Sequence, residues 1–180
     1  MLAYTQQKTG MDRSMNRRFI ITGLAALSLF PTTAFARTLK PYSGPQVTRV
    51  VLYKGKRRLY LLSGTKVLKK YKVGLGGVPV GHKQFEGDGK TPEGSYIIDR
   101  RNAESKYHLS VGISYPNSRD VAYARQFGRS PGGEIFIHGR AGAHRGFGRD
   151  WTAGCIAVKD KHIEEIYMMV LTGTQIDIHP

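Results

Sequence analysis

Three short segments in the first half of the chain, residues 47–54, 57–62 and 66–73, alternate apolar and polar residues with a period of two. Only Lys54-Gly55-Lys56 and Ser63-Gly64-Thr65 separate them. Alternation puts every second side chain on one face of a sheet, and connections this short suit antiparallel neighbours. This part of the chain is therefore expected to be a β-meander. Arg49, Tyr53, Lys69, Lys70 and Lys72 would line its exposed faces and edges, where lysine also discourages pairing with other chains.

Residues 95–99, 109–114, 134–138 and 156–158 read as further strands, and 74–81 and 86–94 as glycine-bearing loops. One helix is expected. Asp160 would cap it, and Ile163, Ile166, Tyr167, Val170 and Leu171 recur at helical spacing. Glu164 and Glu165 fall in its early turns, where the dipole favours acids, and His162 fits an exposed position there. Gly173 ends it and residues 174–178 return as a strand. The expected class is mainly β (α+β): a sandwich or barrel with one helix packed on one side.

At the N-terminus, Arg17 and Arg18 precede an apolar run over 19–30 that ends near Ala34-Phe35-Ala36. This is the layout of a secretory signal, and the run is short for a bilayer span. Asn16-Arg17-Arg18 also fits a twin-arginine signal loosely, with Met15 as an alternative start. An uncleaved anchor is the competing reading. The expected organisation is a signal at 1–36, an irregular lead-in at 37–46 and a single domain at 47–180, exported to the periplasm or cell envelope.

Charge is unevenly placed. Residues 37–85 hold twelve Lys and Arg and no acid, whereas residues 86–180 hold twelve of each sign. A basic first third attracts polyanions. Export makes an anionic envelope surface the better partner than nucleic acid; the competing reading is a lysine-rich solvated face.

Cys155 is the only cysteine, so no internal disulfide can form. It follows Gly154 in a turn and precedes a short apolar run. A free thiol, with pKa about 8.5, is largely protonated near neutral pH and needs a base. His138, 17 positions upstream at the end of an apolar strand, is the candidate. The glycine-containing segment 140–150 would loop out and return the chain to it. His144 is nearer in sequence but lies within that segment. Backbone N–H groups of Ala153, Gly154 and Cys155 are candidate oxyanion donors. His138, His144 and Cys155 also form a possible zinc set, though without short helical spacing or a poised carboxylate. A non-enzymatic polyanion-binding module is the third alternative.

His138-Gly139 followed by Thr152-Ala153-Gly154-Cys155 resembles the YkuD-type L,D-transpeptidase catalytic domain. Lys90-Thr91-Pro92-Glu93-Gly94 looks like the family's threonine-proline-x-glycine segment, and Ile113-Ser114-Tyr115-Pro116-Asn117 and Asp150-Trp151-Thr152 look like its YafK-like murein branch. The resemblance implies that Cys155 is the acyl-accepting nucleophile, His138 its general acid/base, and Gly139 the residue whose carbonyl orients the imidazole. It implies peptidoglycan stem peptides as substrate and an amine as acyl acceptor, with no cofactor or metal. Because the branch is YafK-like, water is the alternative acceptor, which would make the enzyme a hydrolase. Two positions depart from many members: Ala153 stands where a second histidine is common, and Ala157 where Arg or Asn is common. Carboxylate recognition is therefore assigned by expectation to Arg140, Arg145 or Arg149, with Thr152 also a substrate-binding candidate.

Overall fold

The computed structural model describes residues 39–141 and 149–180. The expected signal segment, and with it His144 and Arg145, lies outside the described residues. The alternating segments form β1 (Arg49–Tyr53), β2 (Arg58–Ser63) and β3 (Lys66–Lys72), paired antiparallel. Val50, Leu52, Leu59 and Leu61 point into the core, while Lys66, Lys69, Lys70 and Lys72 are exposed along β3. β3 is an edge of the sheet, so this lysine row meets the edge-protection expectation.

β4 (Gly94–Asn102), β5 (Ser110–Ile113), β6 (Phe136–His138), β7 (Ile156–Ala157) and β8 (Gln175–His179) complete one eight-stranded sheet. Its order is β3-β2-β1-β8-β4-β5-β6-β7. β1–β8 and β6–β7 are parallel; the other pairs are antiparallel. β4 serves both halves: Gly94 to Ile97 pair with β8, and the stretch from Ile98 pairs with β5 across a bulge. A bulge bends and twists a strand. The mainly-β expectation holds, as a curled sheet with few helices.

Among the described residues there are two helices, where one was expected. α1 (Ser118–Gln126) carries no apolar stripe, and only Asp120 and Ala124 are buried, so periodicity does not reveal it. Its signal is a capping box: the Asn117 side chain accepts from the Arg119 and Asp120 N–H groups, and the Asp120 carboxylate accepts from Asn117 N–H.

α2 (Asp160–Met169) is the expected helix, with Ile163, Ile166 and Met169 buried against β5 and β6. Lys159, not Asp160, is its N-cap, and no side chain caps it. The helix stops before Leu171, which is 48% exposed instead of joining the stripe. His162 packs on Tyr71, ring centroids 5.0 Å apart, and its Nδ1 is buried, contrary to the exposed placement expected.

The basic first third is not all surface either. Lys54 and Lys83 are 1% and 3% exposed. The Lys54 ammonium donates to the Gly81 and Thr91 carbonyls and to Glu93 at 2.6–2.8 Å, tying the end of β1 to the loop before β4.

Candidate active site

β6 and β7 run parallel, with Ile137 opposite Ile156 and His138 opposite Ala157. Cys155, just before β7, therefore falls level with Phe136, one strand over from His138 and two residues along. The expected excursion between the two does return the chain to the histidine strand.

Gly154 makes the cysteine turn possible. Its φ of +140° is rarely adopted by residues with a side chain, and a Cβ there would lie 2.7 Å from the Lys90 carbonyl. Thr152 braces the turn internally: its hydroxyl donates to the Cys155 carbonyl at 2.7 Å and accepts from Gly154 N–H at 3.2 Å. Thr152, expected as a substrate-binding candidate, is 8% exposed, with its hydroxyl engaged within the turn. Of the three expected oxyanion donors, Gly154 N–H is already engaged, which leaves those of Ala153 and Cys155.

His138 is 3% exposed, between Tyr107 (centroids 4.5 Å) and Trp151 (5.8 Å, edge-on). Its Nδ1 lies 2.6 Å from the Gly139 carbonyl oxygen. A carbonyl only accepts, so Nδ1 carries the proton and Nε2 keeps its lone pair. Burial pushes the imidazole below the ordinary histidine pKa, and the Arg140 charge adds to this against the opposing Gly139 carbonyl. Gly139 sits tightly beneath α2: a Cβ there would meet Asp160 Oδ1 at 2.6 Å and the Tyr107 carbonyl at 2.7 Å. The Asp160 carboxylate accepts from the Arg140 and Ala141 N–H groups at 2.6 and 3.0 Å, holding the chain as it leaves the histidine.

The Cys155 sulfur accepts from Phe136 N–H and donates to the Glu134 carbonyl, both at 3.4 Å. Glu134 has φ 54°, a left-handed conformation uncommon for a side-chain-bearing residue. Burial pushes the thiol pKa up, and the Phe136 N–H only partly opposes it. Both shifts favour the uncharged forms, a thiol at Cys155 and an imidazole at His138, over the thiolate–imidazolium pair. The thiol opens into a cavity of about 280 Å³ lined by Lys83, Glu86, Gly133, Glu134 and Ala153.

Sequence comparison decides what kind of domain this is: residues 47–178 match the L,D-transpeptidase catalytic domain family, YkuD. The chain belongs to that family. Among sequences similar to this L,D-transpeptidase domain is the protein named Putative L,D-transpeptidase YafK of Escherichia coli (strain K12). It is 28% identical over 163 residues, 83% of this chain and 60% of that protein. Among solved structures, the helical cell shape determining protein Pgp2 from Campylobacter jejuni is similar at TM-score 0.58 and 27% identity. The match covers 76% of this chain and 49% of that one. The L,D-transpeptidase from Xylanimonas cellulosilytica shares the fold alone, at TM-score 0.50 and 12% identity, over 77% of this chain and 63% of that one. The chain thus spans about half the length of Pgp2 and 60% of YafK.

Of the arginines expected to read substrate, Arg140 and Arg149 line a different cavity from the one holding the thiol. The guanidinium of Arg140 stands over Trp151, 5.7 Å from the ring centroid. Sequence reasoning passed over Tyr107 and Lys83, whose surroundings in the chain carry no catalytic signal. The zinc alternative needs His144, which is outside the described residues. No group of three or more metal-ligating side chains occurs among the described residues.

Proposed function

We propose that this domain is an exported cysteine acyltransferase that takes peptidoglycan stem peptides through a Cys155 thioester. The observation that carries the reading is the His138 Nδ1–Gly139 carbonyl bond, which leaves the imidazole a base on the strand beside Cys155. As a substrate carbonyl enters, Sγ attacks its carbon and the thiol proton passes to His138 Nε2. The oxyanion forms near the Ala153 and Cys155 N–H groups. The C–N bond to the terminal D-amino acid breaks, and its amine leaves with the proton from His138. An acceptor amine then attacks the thioester, gives its proton to His138, and the sulfur leaves to be reprotonated.

Export rests on the arginine pair, apolar run and Ala34-Phe35-Ala36 pattern. Among the described residues no helix is long and apolar enough to cross a membrane. The exposed lysine row of β3 supports retention at an anionic envelope surface. Replacing Lys66, Lys69 and Lys70 by Glu should weaken that retention at low salt.

The test is mass spectrometry of the protein after incubation with a tetrapeptide muropeptide. The expected adduct is the tripeptide acyl group on Cys155, absent from Cys155→Ala and His138→Ala. An equal adduct on His138→Ala refutes the assignment. Adding an acceptor amine then separates transfer from hydrolysis: a cross-linked product supports the transferase, and free tripeptide alone supports the hydrolase.

A further inference from the structure

A second cavity, about 710 Å³, opens beside the catalytic strands and is rimmed by seven cationic side chains. Lys56 and Arg57 come from the β1–β2 turn, Arg58 from the start of β2 and Lys72 from the end of β3; Arg140, Arg149 and Lys159 come from the chain around the cysteine turn. Its floor is apolar, with Val73 and Val158 buried beneath. Ala157 also lines it, and Ala157 is the partner of His138 across β6–β7 and of Gly74 on the other side. Among the described residues only Arg57 of the seven has a carboxylate partner, Asp150. So much unneutralised charge of one sign around one cavity raises the local concentration of anions. The volume is that of a peptide-sized ligand site.

We propose that this groove binds the carboxylates of the peptide substrate, so that the stem lies across β7 with its reacting carbonyl delivered toward Cys155. The inference rests on the acyl-transfer reading for the substrate's identity, but the groove is separate from the thiol's cavity. A free polyanion on an exposed surface would need neither a bounded cavity nor an apolar floor, nor a place beside the catalytic strand. A short peptide with several carboxylates uses all three.

The experiment uses the triple variant Lys56→Gln, Arg58→Gln, Lys72→Gln, which spares Arg57 and every group around the thiol. Calorimetry on Cys155→Ala protein, with and without the triple change, measures binding of three probes. These are a stem tetrapeptide, the same peptide with its carboxylates amidated, and inorganic polyphosphate. Loss of three charges should weaken tetrapeptide binding about tenfold, at roughly a two- to threefold loss per exposed charge. The amidated peptide should bind weakly to both proteins. In the active protein, the half-saturating tetrapeptide concentration for Cys155 acylation should rise by the same factor with the maximal rate unchanged.

Unchanged tetrapeptide binding overturns the proposal, as does polyphosphate binding in the groove without any peptide binding. If the tetrapeptide binds with the expected charge dependence but never acylates Cys155, the groove stands and the acyl-transfer reading fails. If acylation proceeds with an unaltered half-saturation, the reading stands and the groove assignment fails.

Discussion

Arg57 and Asp150 are 93 positions apart in sequence, and the guanidinium grips the carboxylate through Nη2 at 2.8 Å and Nε at 3.1 Å. Asp150 also accepts the Leu75 N–H at 3.0 Å. The β1–β2 turn and the chain after β3 thereby hold the residue that leads into Trp151 and the cysteine turn. Burial pushes the Asp150 carboxyl up, but the Arg57 and Leu75 bonds outweigh it and hold it below its ordinary 3.8.

Asp150→Asn should therefore cost about 1–3 kcal/mol at neutral pH, as loss of a charge-assisted bond. A carboxyl depressed in the fold contributes stability above its unfolded pKa and loses it as pH falls through the folded value. Urea denaturation of both proteins should show the gap at pH 7 and its closure in acid well below 3.8. A gap that persists in strong acid would mean the effect is not electrostatic.

On the proposed acyl-transfer reading, the uncharged forms that both shifts favour set the pH dependence of acylation. His138 acts as base only when unprotonated, and burial lowers its pKa, so activity should survive below 6.5 and fall as pH drops through the folded value. The thiol, raised above 9.0, should show little thiolate near neutrality. Iodoacetamide alkylation of Cys155 should thus keep rising past pH 9. A rate already saturated at pH 7 would reveal a preformed thiolate–imidazolium pair.

Gly154→Ala should damage both stability and acylation. The new methyl must adopt φ +140° and displace the Lys90 carbonyl, which lies 2.7 Å away. Strain of this kind costs about 1–3 kcal/mol. Thermal melting together with adduct yield checks it; a variant with wild-type melting and full adduct would show that the turn tolerates a side chain.

Lys54→Met removes an ammonium with three acceptors at the end of β1. The Glu93 carboxylate and two carbonyls would be left without their cation, at about 3–5 kcal/mol. The loss should appear in urea denaturation and should be largely relieved by adding Glu93→Gln. If the double variant is no better than the single one, the ion pair is not the cause.

Much of the β framework was legible because alternation reports burial one strand at a time. Val50, Leu52, Leu59 and Leu61 announce their face without help from the rest of the chain. α1 escaped notice because its stability comes from a cap and from contacts of Asp120 with His82 and Tyr96, not from an apolar stripe. The bracing role of Thr152 is not legible in sequence, because its hydroxyl satisfies backbone groups that only the folded turn brings within reach.

By itself the sequence determined the meander, the glycine-cysteine turn, the strand-end histidine and the strong bias of positive charge. Local spacing and side-chain chemistry suffice for those, since each depends on residues close together in the chain. Only the tertiary structure decided that Lys54 is buried, that Arg57 grips Asp150, that the cations of two distant segments rim one groove, and that burial favours the uncharged thiol and imidazole. Desolvation and Coulomb attraction act through space, and the partners they bring together lie tens of residues apart.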